Sequence, residues 1–192
     1  MQHSYGLVEN LNMKNSFNTP NELIEIGFKN FGNNVSIGRL AKFYGAENIE
    51  IGNNVRIDDF CLLSGNICLG NYIHISAYSA LYGKFGIVME DFTGLSPRCT
   101  IFSTTDDFSG NYLISPMNLP EYCNVIGGLV TLKKFVQIGA GTIIMPDLTI
   151  GQGSAIGAMS FVNQIIGNWQ MWAGIPVRFI KKRESGMVVF SV

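Results

Sequence analysis

The chain has 192 residues, of which 47% are hydrophobic and only 14% are charged. A chain of this length can bury a full core, and its low charge argues against disorder. With 13 Lys and Arg against 14 Asp and Glu, it predicts no broad nucleic-acid-binding surface. No apolar run is long enough to cross a bilayer, and residues 1–18 lack the layout of a secretory leader. We therefore expect a cytoplasmic protein without membrane insertion.

The four cysteines and two histidines do not form a metal-site pattern. No two cysteines have the C-x-x-C spacing of a zinc site, so we expect no metal. The cysteines are then small apolar residues in a reducing compartment. They are Cys61, Cys68, Cys99 and Cys123.

The first predicted element is a short helix near residue 20. Thr19 can cap it, Pro20 suits its first turn, and Glu22 stands three residues after the cap, as in a capping box. Apolar residues follow within the next two turns. We expect residues 1–30 to form a tail and a helix that covers one end of the following domain.

From residue 51 onward, aliphatic residues recur at every sixth position, with one shift of two residues and one long interruption. A six-residue period fits neither a helix nor a hairpin sheet, but it fits a chain that turns a corner every six residues. Three sides then close a triangular coil of about 18 residues, and coils stack as parallel strands do, about 4.8 Å apart. The sequence predicts an all-β fold whose parallel β-helix covers residues 31–168. The inward positions are Ile51, Ile57, Leu63, Leu69, Ile75, Leu81, Met89, Leu95, Ile101, Leu132, Ile138, Ile144, Ile150, Ile156 and Val162.

The repeat fails between residues 103 and 125. A long stretch without a pattern of its own is uncommon in a compact domain and usually functional, so we expect an extruded loop here. Its candidate site residues are Asp106, Asp107 and Tyr112. Beyond the last coil, residues 169–192 are expected to form a cap with a short helix that begins near Pro176.

Several segments resemble the hexapeptide-repeat acyltransferases, which include galactoside, maltose and nucleotide-sugar acetyltransferases. The resemblance implies a left-handed parallel β-helix, a homotrimer with active sites between subunits, and acetyl-CoA as the acyl donor. It is greatest for acetyltransferases of O-antigen and other surface-polysaccharide pathways, including lipopolysaccharide biosynthesis. The segments are IGNNVRIDDFCLLSG (51–65), NYIHISAYSALYG (71–83), FSTTDDFSG (102–110), VQIGAGTIIMPDLTIGQGSAIGAMSFV (136–162) and WAGIPVRFIKKR (172–183).

The same resemblance implies where acetyl-CoA binds. Its pantetheine arm would run beside small residues that let the backbone approach closely, which are Gly139, Ala140, Gly157 and Ala158. Its phosphates and adenine would lie toward polar and basic residues, which are Ser160, Asn163, Arg178, Lys181 and Lys182. Cations beside a polyphosphate are physically sensible, and the alternative for the basic run is a solvent-exposed face.

The sequence departs from the galactoside-type relatives at their catalytic histidine. Aligned on Ser96-Pro97, that position falls at Asp106, and the loop holds no histidine. Apart from His3 in the polar tail, the only histidine is His74, whose side chain should face outward near a corner. It is either solvated or a general base in a cleft between subunits. Because His74 and Asp106 end different sides of one prism, we expect them to meet across a subunit interface.

With the acetyl donor and the amino-sugar acceptor that the resemblance implies, these residues predict direct transfer of an acetyl group to an amine. Asp106 and Asp107 would bind an ammonium ion and His74 would take a proton, with no covalent enzyme intermediate. The leading hypothesis is an N-acetyltransferase that acts on a nucleotide-linked amino-deoxyhexose. The alternatives are a sugar O-acetyltransferase and a non-enzymatic β-helix. The rings of Tyr78 and Tyr112 either stack on the sugar nucleotide or pack the loop onto the prism.

Overall fold

A computed structural model describes residues 16–190, and it begins with the predicted helix. Helix α1 spans Pro20–Ile26, and both hydrogen bonds of the capping box are present. The Thr19 N–H donates to the Glu22 carboxylate at 2.7 Å, and the Glu22 N–H donates to Thr19 Oγ1 at 3.4 Å. Leu23 is buried in the core. Residues 1–15 and 191–192, with most of the predicted N-terminal tail and His3, lie outside the described residues.

The described chain then winds through about seven triangular coils with three parallel walls, which we name A, B and C. Wall A contains β1 (Asn30–Phe31), β4 (Ile49–Ile51), β13 (Val130–Leu132) and β16 (Thr149–Ile150). Wall B contains β2 (Val35–Ile37), β5 (Val55–Ile57), β7 (Ile73–Ile75), β9 (Gly94–Leu95), β14 (Gln137–Ile138), β17 (Ala155–Ile156) and β19 (Gln170–Ala173). Wall C contains β3 (Lys42–Tyr44), β10 (Thr100–Phe102), β15 (Ile143–Ile144) and β18 (Phe161–Val162). Strands β6 (Leu62–Leu69) and β8 (Ala80–Met89) run along wall C, turn the C–A corner and continue along wall A.

Aliphatic side chains from all three walls fill the inside of the coil. Every predicted inward position is at most 3% exposed. Neighbouring residues on a strand point the opposite way, which places His74 on the outer face between buried Ile73 and Ile75. The all-β prediction and the inward register are therefore confirmed.

The two-residue shift in the repeat after Leu81 has a local cause. Strands β6 and β8 turn the same corner side by side, with Gly65 paired to Gly83. The next matched pair is Ile67 with Ile87, so β8 holds two more residues at the corner than β6. This bulge restores the inward register on the far side of the corner.

The predicted extruded loop leaves the coil at the C–A corner as an arm, which we define as residues 103–129. Its base is a ribbon of two antiparallel strands, β11 (Thr104–Asp106) and β12 (Val125–Gly127). The Asp107 N–H continues the ladder by donating to the Asn124 carbonyl at 3.0 Å. The sequence predicted that the loop would have no regular pattern of its own. That prediction was wrong for the two ends of the arm, which form strands β11 and β12. Residues that favour strands, such as Thr105 and Ile126, stand opposite each other there.

The predicted C-terminal helix that carries Arg178, Lys181 and Lys182 is also wrong. That segment forms β20 (Arg178–Lys182), antiparallel to β19. The last strand of wall B would otherwise expose unpaired backbone groups, and β20 covers this edge. The need to close the sheet therefore outweighs local helix propensity.

In the part of the chain that the structure describes, the helical segments other than α1 are short 3-10 turns, at Ala46–Asn48, Pro120–Tyr122 and Gly186–Phe190. In residues 16–190, no helix has both the length and the apolar character needed to cross a membrane.

Candidate active site

The B–C corner, where wall B passes into wall C, carries a column of small residues. A groove of about 510 Å³ runs along this column over successive coils. Two predicted cofactor residues, Ala140 and Ala158, and the predicted substrate residue Tyr78 line it. The lining comprises Ala77, Tyr78, Pro97, Arg98, Ala140, Gly141, Ala158 and Met159.

Two glycines allow the coils to stack closely at this corner. A Cβ at Gly139 would overlap the backbone of Ala158, and a Cβ at Gly157 would lie 2.8 Å from the Ala173 methyl group. The N–H groups of Ala140 and Ala158 have no hydrogen-bond partner among the described residues. The groove therefore offers two backbone donors beside a narrow, apolar wall. Such a surface suits an extended chain that contains amide groups.

A stack of side chains stands at the N-terminal end of the groove. The Tyr78 ring lies 4.8 Å from the Phe60 ring, nearly parallel to it, and the Arg98 guanidinium lies 5.8 Å from the Tyr78 centroid. Packing thus holds Tyr78 in place, although 55% of the residue is exposed. Tyr78 forms a fixed wall of the groove with a cation beside it.

His74 lies on wall B three residues before Ala77 of the groove. Its side chain faces outward, as predicted, and is 50% exposed. Its Nε2 lies 2.9 Å from Asp58 Oδ2, and Arg56 Nε donates to Asp58 Oδ1 at 2.7 Å. Arg56 and His74 are partners in the parallel pairing of β5 and β7. Two adjacent coils therefore build an Arg–Asp–His chain on one face.

The surroundings of Asp58 keep its carboxyl ionised. Partial burial raises the pKa of Asp58, but hydrogen bonds from Arg56 and His74 outweigh this and leave the pKa below its ordinary value. An ionised Asp58 favours a proton on Nε2 of His74, which assigns the lone pair to Nδ1. A neutral imidazole in this tautomer can accept a proton at Nδ1.

The two adjacent aspartates of the arm have different surroundings. The Asp107 carboxylate accepts the Ser109 N–H and the Asn124 side-chain amide, both at 2.8 Å, and these bonds lower the pKa of Asp107. Asp107 thus holds the arm together. The Asp106 carboxylate is partly buried on β11 and has no hydrogen-bond or ion-pair partner in the described part of the chain. Asp106 lies in the arm ribbon and not, as the repeat phase predicted, at the end of a wall.

Three other predicted residues lie away from the groove. Tyr112 is on the arm beside a cavity of about 310 Å³, and Asn163 lines a cavity of about 450 Å³ below the arm at the C–A corner. Ser160 is 2% exposed, and its Oγ donates to the Gly157 carbonyl at 2.7 Å and accepts the Gly174 N–H at 3.1 Å. The Ser160 hydroxyl is therefore held inside the coil, and the cofactor contact of this residue stays a prediction.

Among the predicted phosphate-binding cations, Arg178 lies nearest the groove. It pairs with Ala173, whose methyl group adjoins Gly157 at the C-terminal end of the column. Lys181 and Lys182 lie further along β20, across wall B. All three side chains are exposed.

Motif-based reasoning missed Asp58, Arg56 and Arg98. Asp58 precedes His74 by 16 positions, and Arg98 follows Tyr78 by about one coil, so both pairs become neighbours when coils stack. Aligning the coils with one another would have placed them together. Within residues 16–190, no three His, Cys, Asp or Glu side chains cluster as metal ligands would.

Two curated proteins show extended similarity to the chain. The dTDP-4-amino-4,6-dideoxy-D-glucose acyltransferase of Escherichia coli is 42% identical over 170 residues, which are 87% of this chain and 88% of that protein. The putative lipopolysaccharide biosynthesis O-acetyl transferase WbbJ of Escherichia coli K12 is 26% identical over 141 residues, 71% of this chain and 69% of that protein. No family model matches the chain.

AntD, an N-acyltransferase from Bacillus cereus, has the same fold. Its complex with dTDP and 3-hydroxybutyryl-CoA is 49% identical with a TM-score of 0.89, covering 92% of this chain and 94% of AntD. An AntD variant bound to dTDP-4-amino-4,6-dideoxyglucose and coenzyme A is 48% identical with a TM-score of 0.89, covering 92% of this chain and 95% of that one. The predicted left-handed parallel β-helix is thereby confirmed.

Proposed function

Because this chain belongs to the hexapeptide-repeat acyltransferases, we propose that it transfers an acyl group from acyl-coenzyme A to the amine of a nucleotide-linked amino-deoxyhexose. The observation that carries the proposal is the B–C groove with its two unpaired backbone donors, whose lining begins at Ala77, three residues after His74. The names of the E. coli relative and of the AntD complex support the acceptor class, since both specify a dTDP-linked 4-amino-4,6-dideoxyglucose.

Acyl-coenzyme A would lie along the column of small residues. The N–H groups of Ala140 and Ala158 would donate to the amide carbonyls of the pantetheine arm. Arg178, at the C-terminal end of the column, would face the phosphates. This orientation directs the thioester toward Ala77 and His74. AntD binds coenzyme A and 3-hydroxybutyryl-CoA, which supports this donor class.

His74 would act as the general base. The neutral amine attacks the thioester carbonyl carbon, a C–N bond forms, the C–S bond breaks and coenzyme A leaves as a thiolate. His74 Nδ1 takes the proton that the amine loses and returns it to the sulfur, so the products are an amide and free coenzyme A. Asp58 would hold the ring and stabilise its charged form. Holding both substrates in line would supply much of the rate.

Asp106 would bind the acceptor as an ammonium ion before one proton leaves to solvent. The AntD complexes include variants at a serine and at an aspartate ten positions further along. Ser96 and Asp106 are the only serine and aspartate with that spacing in this sequence. Ser96 follows β9 at the B–C corner, next to Pro97 of the groove, whereas Asp106 is on the arm. This correspondence supports a role for Asp106 at the acceptor.

The active unit would be a homotrimer in which the arm of one subunit reaches the groove of its neighbour. His74 lies on the outer face of wall B and Asp106 on the arm that leaves the C–A corner, which supports a site built from two subunits. The arm also exposes large apolar side chains, including Leu113, Met117 and Tyr122, which are 53%, 90% and 55% exposed in the single chain. Covering such residues favours association.

We place this activity in the cytoplasm, in the construction of surface polysaccharide such as O-antigen. The four cysteines are free thiols, which suits a reducing compartment. The similarity to a protein named for lipopolysaccharide biosynthesis supports the pathway.

The test is to incubate the protein with acetyl-CoA and dTDP-4-amino-4,6-dideoxyglucose, measuring free thiol and product mass. We expect one thiol released for each amide formed. The matched acceptor with a hydroxyl in place of the amine separates N-transfer from O-transfer. Thiol release with the hydroxyl acceptor alone would establish the O-acetyltransferase alternative, and release with neither acceptor would overturn the proposed function.

A further inference from the structure

The C-terminal patch, which we define as residues 178–190, concentrates positive charge. Four of the chain's 13 Lys and Arg residues lie at positions 178–183. Lys181 and Lys182 are exposed on β20 and form no ion pair with a carboxylate within residues 16–190. Their charges are therefore open to a partner outside the chain. Elsewhere in the described coils, five Lys or Arg side chains are paired with carboxylates, namely Lys29, Arg39, Arg56, Lys133 and Lys134.

The same patch exposes apolar side chains. Ile180 on β20 is 58% exposed, and Val189 and Phe190 in the final 3-10 turn are each 79% exposed. The turn begins four residues after Lys182, and four residues of chain span at most about 14 Å. Between them, the Arg183 guanidinium holds the chain against the coils by donating to a backbone carbonyl at 2.8 Å. Charge and apolar surface are therefore neighbours on an anchored part of the molecule.

Protection of a sheet edge explains only part of this arrangement. β20 is the last strand of its sheet, and lysine on an edge strand discourages pairing with another chain. That role gives no reason for the exposed Val189 and Phe190, which lie outside the sheet. A protein partner is a poor match, because protein interfaces are depleted of lysine. A nucleic acid would neutralise the lysines, but its phosphate backbone offers no apolar surface.

We propose that the C-terminal patch attaches the protein reversibly to an anionic membrane surface. Ile180, Val189 and Phe190 would enter the boundary between the lipid headgroups and the acyl chains, while Lys181 and Lys182 reach the lipid phosphates on their long stems. Each lysine close to an anionic surface strengthens binding about fivefold. So few charges and apolar groups give a peripheral contact and no permanent anchor. Acyl transfer does not require this contact, so the two proposals stand separately.

Flotation of the whole protein with lipid vesicles tests the proposal. We expect the protein to float with vesicles made of equal parts phosphatidylcholine and phosphatidylglycerol, and to stay behind when the vesicles are phosphatidylcholine alone. Raising the ionic strength from about 0.1 M to about 1 M shortens the screening length from about 10 Å to about 3 Å and should release most of the protein. Flotation with both kinds of vesicle, or with neither, would overturn the proposal. Binding to a fluorescent single-stranded oligonucleotide without binding to vesicles would also overturn it.

A pair of double variants tests the assignment of the charges. Lys181→Gln combined with Lys182→Gln should weaken binding to the anionic vesicles about 30-fold, because two charges are lost. Lys42→Gln combined with Lys84→Gln makes the same change of charge at exposed lysines outside the patch, and should bind like the wild type. Equal weakening in the two double variants would show that only net charge matters and would reject the patch.

A second pair of variants tests the apolar contact. Phe190→Ser should weaken vesicle binding about tenfold, because the ring no longer enters the bilayer boundary. Phe108→Ser removes a similarly exposed ring from the arm and is the matched control, with wild-type binding expected. Wild-type binding by Phe190→Ser would reject insertion of the apolar side chains. Flotation does not depend on catalysis, so a failure here leaves the proposed acyl transfer untouched.

Discussion

The residues of the B–C groove and those of the arm differ in their relation to the repeat. The groove is a product of the repeat, because each coil places a small residue such as Ala140 or Ala158 at the same corner. The arm is an interruption of the repeat, and its Asp106 carboxylate has no partner in the described part of the chain. Most of the arm's large apolar residues are exposed, whereas the aliphatic repeat positions are buried.

This difference separates the two halves of the proposed reaction. A long, flexible donor with regular amide groups can bind to backbone donors repeated along a column. A charged acceptor needs side chains at particular points, and these come from His74 on an outer face and Asp106 on an insertion. The residues that follow the repeat therefore bind the common donor. The residues that depart from the repeat determine the choice of acceptor. The four predictions below test that division.

The largest effect is expected on the outer face of wall B. His74→Asn should lower kcat about 100-fold to 10,000-fold, because it removes the proposed base without removing bulk. KM for acyl-CoA should stay close to wild type, since the groove is untouched. Steady-state kinetics with thiol detection measures both. A near-normal kcat would mean that the amine loses its proton to water.

The second prediction concerns the sharing of sites between subunits. His74→Ala and Asp106→Ala should each be nearly inactive alone. In trimers assembled from equal amounts of both, about a quarter of sites would combine an intact His74 with an intact Asp106 from a neighbour. Activity should therefore rise to about a quarter of wild type after co-expression and fall when each variant is purified separately. Mixed trimers as inactive as their parents would place both residues in one subunit's site or exclude one of them.

The third prediction compares the stability of the two regions. Ile144→Ala empties a fully buried position of the coil and should lower the free energy of unfolding by about 2–5 kcal/mol. Asp107→Ala removes two hydrogen bonds at the solvent-exposed arm surface and should lower the free energy of unfolding much less than the core substitution does. Urea unfolding at one fixed protein concentration gives both values. An arm substitution as costly as the core substitution would show that the arm is part of the main cooperative unit.

The repeat made most of the fold predictable. Inward positions such as Ile51 and Ile156 could be assigned because each wall requires an aliphatic residue at the same point of every coil. The capping box at Thr19 and Glu22 was equally local. The strand at Arg178 was not predictable in this way, because it forms to cover a sheet edge that exists only after the last coil has folded.

Less of the candidate site than of the fold could be predicted from the sequence. His74 could be placed on the outside from its position next to Ile75. Its partner Asp58 could not be recognised from a linear motif, because a corner and most of a coil separate the two residues. The buried position of Ser160 was missed because a hydroxyl that bonds to backbone inside the coil has the same sequence signature as one that binds a ligand.

The smallest predicted effect concerns the carboxylate that orients His74. The pKa of Asp58 is lower in the folded protein than in the unfolded chain, where it is about 3.9. The ionised carboxylate therefore stabilises the fold at pH values above about 3.9. This contribution is lost as the pH falls through the lower pKa of the folded protein. The difference in unfolding free energy between wild type and Asp58→Asn should therefore be largest near neutral pH and shrink below about pH 4. Because Asp58 lies near the surface, we expect a change on the order of 1 kcal/mol or less. Arg56→Gln, which leaves the bond to His74, should keep part of this pH dependence. A difference that stays constant from about pH 7 to about pH 3 would mean that the Arg–Asp–His chain contributes nothing to stability, leaving only its proposed role in holding the imidazole.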